Sequence, residues 1–201
     1  MAVRLSTGSL AWLLLAALAG QPVRAGEEAD LAACDTSLPA VRGLSVSAGT
    51  GPALWAGEVG EASRPGPAFS LSVAYDLFDW LAVEAGWHTG SNDTAQPYPP
   101  APGSFATQVA LLGMKLRWLL GSWDLFARGG VGFRWVYPNI LLRIENLAEG
   151  TQLAWSAGGG VGWYTPIRGL WLAAESLACG AIDGNGIWIS TRLVLGYTFP
   201  L

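Results

Sequence analysis

The segment WDLFARGGVGFRW, residues 123–135, decides how the rest of the chain is read. Side chains on an extended strand point to opposite faces in turn. Trp123, Leu125, Ala127, Gly129, Val131, Phe133 and Trp135 share one face, and Asp124, Phe126, Arg128, Gly130, Gly132 and Arg134 share the other. The first face is apolar with a tryptophan at each end; the second carries charge and glycine. A soluble sandwich would bury the apolar face and wet the charged one. A transmembrane barrel turns the apolar face to lipid and encloses the charges in its lumen. The terminal tryptophans favour the barrel, because their amphipathic rings sit well at headgroup level. Twelve residues at roughly 3.3 Å each, tilted by about 40°, rise roughly 30 Å, which matches one apolar band with its interfaces.

The composition agrees. A chain of 201 residues defaults to one domain, and only 13% of it is charged, about half the usual share. Mean hydropathy is +0.35, yet no internal apolar run reaches helical-span length, as expected for strands that are apolar on one face only. The acid excess leaves no basic patch for nucleic acid.

The N-terminus reads as a secretory signal over residues 1–25. Arg4 supplies the positive start, and LAWLLLAALA (10–19) is an apolar core too short to span a bilayer. Small residues around Ala25 offer a cleavage site before Gly26. Loss of Arg4 and Arg24 would move the formal charge from −4 to −6. Residues 26–42 form an acidic, then small-residue, lead-in expected to be flexible. Leu31-Ala32-Ala33-Cys34 has the look of a lipobox, but Arg24, Glu27, Glu28 and Asp30 separate it from the apolar core, which argues against lipidation. Cys34 and Cys179 would lie at opposite ends of a barrel, so no disulfide between them is expected.

Alternating segments then recur. They predict strands beginning at Gly43 and covering about 67–75, 80–88, 105–118, 123–135, 153–164, 170–179 and 187–199. Trp55 falls just beyond the first. Asp76 to Asp79 reads as a tight turn. HTGSNDTAQPYPPAPGS (88–104), with four prolines, reads as a long loop. Gln108 falls on the apolar side of the fourth strand, suggesting a bulge or slipped register there. Asp183-Gly184-Asn185-Gly186 is a hairpin signal. Eight strands joined alternately by long loops and short turns predict an all-β, eight-stranded, antiparallel up-and-down transmembrane barrel over residues 43–199. Two aromatic girdles are expected. Trp80, Trp118, Trp123, Trp163 and Phe199 lie beside the short turns, and Trp55, Trp87, Trp135 and Trp155 beside the loops.

LFARGGVGFRW (125–135), AWSAGGGVGWYTP (154–166) and LVLGYTF (193–199) together resemble the small outer-membrane β-barrel superfamily, the group of the OmpA membrane domain and OmpX. The resemblance implies a bacterial outer-membrane location and lipid as surroundings. It also implies engagement of the barrel-assembly machinery through the C-terminal strand. In most members the last residue is aromatic; here Pro200 and Leu201 follow Phe199.

On this register the lumen receives Glu84, His88, Lys115, Arg117, Asp124, Arg128, Arg134, Glu175 and Arg192. An eight-stranded barrel is only just wide enough for side chains to fill it, and an enclosed charge is costly unless paired. Glu84 and Glu175 are therefore expected to pair with some of Lys115, Arg128 and Arg192, making a closed, salt-bridged lumen. A narrow pore is the alternative, and its cationic excess would favour anions. A second alternative is a lipid A-modifying enzyme. His88-Thr89-Gly90-Ser91-Asn92 resembles the His and Ser of outer-membrane lipid A deacylases, although there one residue, not two, separates the pair. The single histidine and two distant cysteines give no metal-ligand cluster, and the glycine runs lack the Lys-Ser/Thr of a phosphate loop; neither cofactor nor metal is expected. Ile140, Leu141 and Ile144 form an apolar loop that is the best candidate for a partner contact. The expected role is structural or surface-interacting, by a monomer.

Overall fold

The computed structural model describes residues 42–95, 103–137, 151–182, 184 and 186–200. The signal segment, the lead-in as far as residue 41, Cys34, the prolines at 97–102 and the loop of Ile140, Leu141 and Ile144 lie outside them. The strands are β1 (Gly43–Ala56), β2 (Gly66–Phe78), β3 (Leu81–Asp93), β4 (Ser104–Leu120), β5 (Trp123–Tyr137), β6 (Gln152–Tyr164), β7 (Leu170–Ala181) and β8 (Ile187–Pro200). Each pairs with its neighbours in sequence, all pairs are antiparallel, and β8 closes on β1 into a barrel. Closure removes the free edges that an open sheet would present. A short helix, α1 (Glu58–Glu61), lies between β1 and β2.

Following cross-strand partners from Leu44 through Tyr75, Val83, Met114, Gly129, Ala157, Ala178 and Ile189 returns to β1 at Leu54. The ring is thus staggered by the ten positions from Leu44 to Leu54, which requires strands tilted to the barrel axis.

Alternation assigns the two faces. On β5, Leu125, Val131 and Phe133 are exposed while Asp124, Phe126 and Arg134 are buried. On β8, Leu193 is 71% exposed, whereas Arg192 is 1% exposed beside it. The outside is apolar and the inside holds the charge. Trp80, Trp118, Trp123 and Trp163 are exposed beside the short turns, and Phe199 lies half-buried against Tyr197 at 4.9 Å between ring centroids. Trp135 and Trp155 face outward nearer the loop end. Trp87 also faces outward, but β3 runs on to Asp93, so Trp87 stands halfway along its strand rather than beside a loop.

Several boundaries depart from the sequence reading. The turn between β2 and β3 is Asp79-Trp80, so Asp76 is a strand residue and Trp80 a turn residue. Residues His88 to Asp93 continue β3, since only the proline-bearing part of that segment is incompatible with a ladder. β4 has continuous register on both sides, with Gln108 paired to Thr89 and Trp135; the expected bulge there is absent. The irregularity sits in β2 between Asp76 and Phe78. At Gly121, φ of 64° allows the tight β4–β5 turn. At Gly160, a Cβ would come within 2.3 Å of the Ala174 carbonyl oxygen and 2.8 Å of the Phe126 ring, so glycine here makes room for that ring in the lumen.

The outward face yields a direct expectation. Leu193→Arg, in the middle of β8, should lower stability by about 2–4 kcal/mol in lipid vesicles, measured by urea titration. A negligible loss would show that this face does not meet hydrocarbon.

Candidate functional site

The lumen is built in three tiers. Beside the short turns, Arg117 on β4 reaches three strands. Its Nη1 donates to Asp76 Oδ1 at 2.8 Å, its Nε donates to Asp124 Oδ2 at 3.1 Å, and its Nη2 donates to the Tyr164 hydroxyl. Asp76 also accepts from the Gly43 backbone N–H at 3.3 Å, fixing the start of β1. All four side chains occupy inward positions of their strands. Asp76 and Tyr164 had not been singled out from sequence; Asp76 is in phase with Ser70, Ser72 and Ala74, and that parity was the available signal.

The middle tier is a chain of charges. Arg128 donates to Glu84 and, at 2.8 Å, to Glu175; Arg192 donates to the other Glu175 oxygen at 2.7 Å and to His88 Nδ1. Glu175 and Arg192 are direct cross-strand partners. Arginine has no lone pair to offer, so His88 Nδ1 accepts and the neutral ring carries its proton on Nε2. Lys115 does not join this network. Its Nζ stands 3.9 Å from the Phe126 ring centroid and 5.1 Å from that of Trp171. Two aromatic faces, rather than a carboxylate, hold this cation.

Towards the loops the lumen becomes apolar. Phe105, Val109, Leu177 and Trp188 are at most 1% exposed, Trp55 is 4% exposed, and Val59 of α1 is fully buried against the same cluster. Asn92 Nδ2 donates to the carbonyls of Ala53 and Arg64, tying the loop that carries α1 to β3. Arg134 enters this tier with its guanidinium 5.1 Å from the Trp55 ring, donating to Gly186 O and Gln152 Oε1.

Trp55 is therefore not a girdle residue. β1 continues through it, odd positions of β1 point inward, and Trp55 stands opposite Trp188 across the β1–β8 pair. The cationic excess expected of the lumen also shrinks, because Asp76 adds a carboxylate. Among the described residues, Asp76, Glu84, Asp124 and Glu175 match Lys115, Arg117, Arg128 and Arg192, leaving Arg134 as the remaining inward cation.

Solved structures share this arrangement. Neisserial surface protein A aligns with a TM-score of 0.59 and 12% identity, over 80% of this chain and 99% of that one. Ail, the attachment invasion locus protein of Yersinia pestis, aligns with a TM-score of 0.52 and 15% identity, over 79% of this chain and 99% of its own. The chain has the fold of the small eight-stranded outer-membrane barrels. No protein-family model and no curated protein matches its sequence.

Within this outer-membrane-type barrel, His88 and Ser91 do not form a catalytic pair. His88 is not at the mouth of a loop; it is a wholly buried β3 residue facing the lumen, and Ser91 is exposed on the opposite face of the same strand. An odd sequence separation on one strand imposes that divergence, and nucleophile–base catalysis needs the two within hydrogen-bond reach.

Glu175 links both arginines of the middle tier. Glu175→Ala should cost about 3–5 kcal/mol, because it strips a carboxylate from two enclosed guanidinium groups. Urea unfolding of the refolded barrel would measure it; a loss below about 1 kcal/mol, the range of solvated ion pairs, would show that water reaches the network.

Proposed function

We propose that this protein is exported to the bacterial outer membrane, where its barrel serves as a closed, monomeric anchor that presents its loops for a structural or surface-interaction role. The observation that carries this reading is the inversion of faces: leucine, valine and aromatics outside, eight paired or ring-stacked charges inside. In water such an arrangement exposes a very large apolar surface; in a bilayer it satisfies both faces. The outward tryptophans near the short turns and near the loops are proposed to be interfacial girdles. Signal cleavage near Ala25, lipid as the surrounding partner and recognition of β8 by the assembly machinery belong to the same proposal. The apolar loop of Ile140, Leu141 and Ile144 remains its candidate partner contact. Ail is an attachment protein by name, and a surface role here accords with that, though the likeness itself is one of fold.

The packed Trp55, Phe105 and Trp188 tier speaks against an anion pore, since among the described residues it fills the loop end of the lumen with apolar side chains. The divergence of His88 and Ser91 speaks against a deacylase.

Two measurements test this reading. Expressed with its leader, the protein should fractionate with outer membranes, run faster unheated than heated on a gel, and begin near Gly26 by mass. Reconstituted in planar bilayers, it should give no current steps above the bare membrane; reproducible steps would overturn the closed lumen.

A further inference from the structure

The outer wall is not evenly rough. Across β6, β7, β8, β1 and β2 it carries a trough of about 700 Å³. Its floor is low because Ala174, Ala48 and Thr50 stand between larger neighbours, while Trp123 and Trp163 wall one end and Phe69 the other. Two rows of cross-strand partners define its course: Val161, Ala174, Leu193, Thr50 and Phe69 above, and Trp163, Leu172, Leu195, Ala48 and Leu71 below. The stagger that carries Leu44 round to Leu54 makes each such row climb towards the loops with increasing strand number. The trough therefore begins low, at the short-turn tryptophans, and ends high, at Phe69.

Its dimensions suit one hydrocarbon chain. Four inter-strand steps of roughly 4.8 Å give a length of about 19 Å. With strands tilted by about 40°, the climb is roughly 12 Å, within the depth of one leaflet of a ~30 Å hydrocarbon core. At the low end, the turn joining β6 to β7 bears Arg168, exposed, next to exposed Ile167. A cation at headgroup level, two tryptophans above it and a sloping apolar channel above them match an anionic glycerophospholipid: phosphate at Arg168, one acyl chain along the trough.

We propose that this face holds one anionic phospholipid of the short-turn-side leaflet as a resident lipid rather than as exchanging solvent. The proposal rests on the membrane reading above. Ala48 and Ala174 both point outward, so Ala48→Phe with Ala174→Phe fills the trough without touching the lumen. Barrels refolded with phosphatidylglycerol or phosphatidylcholine and released from micelles into a mass spectrometer would report bound lipid. Wild type should retain one phosphatidylglycerol. The filled variant should retain about tenfold less, the expected effect of losing a few buried methylene contacts. Arg168→Gln should retain both lipids alike. Equal retention of phosphatidylglycerol by wild type and the filled variant, with both showing heat-modifiable mobility, would overturn the resident lipid while leaving the barrel reading intact. A protein that stays folded and monomeric without detergent would instead overturn the membrane reading, and this proposal with it.

Discussion

The stagger with which β8 closes on β1 sets the width of this barrel, and the width sets the chemistry of its interior. Eight strands enclose a space that side chains can just fill. Inward charges in so narrow a space find their partners among the other inward side chains and the backbone. Arg117, Arg128 and Arg192 do this by each touching more than one strand. The Arg117–Asp76, Arg128–Glu84 and Arg128–Glu175 pairs thus tie non-neighbouring strands, where the backbone ladder only joins neighbours.

Such pairs do not by themselves argue for high stability, because desolvating the partners offsets much of their attraction. Their stronger effect is on register. Slipping β4, β5 or β8 by one residue would send an arginine outward and a leucine inward. Arg192 and Leu193 sit side by side in sequence, so β8 has a heavy penalty for either error. The apolar tier of Trp55, Phe105 and Trp188 supports the same register from the loop end. There the interior resembles an ordinary protein core, and α1 with Val59 completes it. The barrel is accordingly two interiors stacked on one axis: ionic beside the short turns, apolar beside the loops.

How much of this could be read from sequence follows from what period-2 patterning encodes. Faces were legible wherever alternation was strong: β5 and β8 place Leu125, Val131, Arg128 and Arg192 on the sides that parity dictates. Strand ends were not, because alternation fades where the membrane ends and the ladder does not. Asp76, Trp55 and the stretch from His88 to Asp93 lie in that zone, each beyond the clear alternation yet still paired in the sheet. Extending each parity by a few residues would have turned Trp55 inward, opposite Trp188. The partner of Lys115 was illegible for another reason. Which inward groups meet across the axis depends on the stagger of the whole ring, and no local pattern contains it. Phe126 and Trp171 reach Lys115 from β5 and β7.

The barrel's two faces differ in the solvent each meets, and spin labels can read that residue by residue. Nitroxides placed singly at positions 191 to 196 of β8, in a background with Cys34 and Cys179 replaced by serine, would be exposed to oxygen and to a water-soluble nickel complex in lipid vesicles. Collision with oxygen should peak at 193 and 195, with little contact with either reagent at 192 and 194. Peaks of nickel contact at 193 and 195 would place water against the leucines and contradict the proposed lipid-facing outer wall.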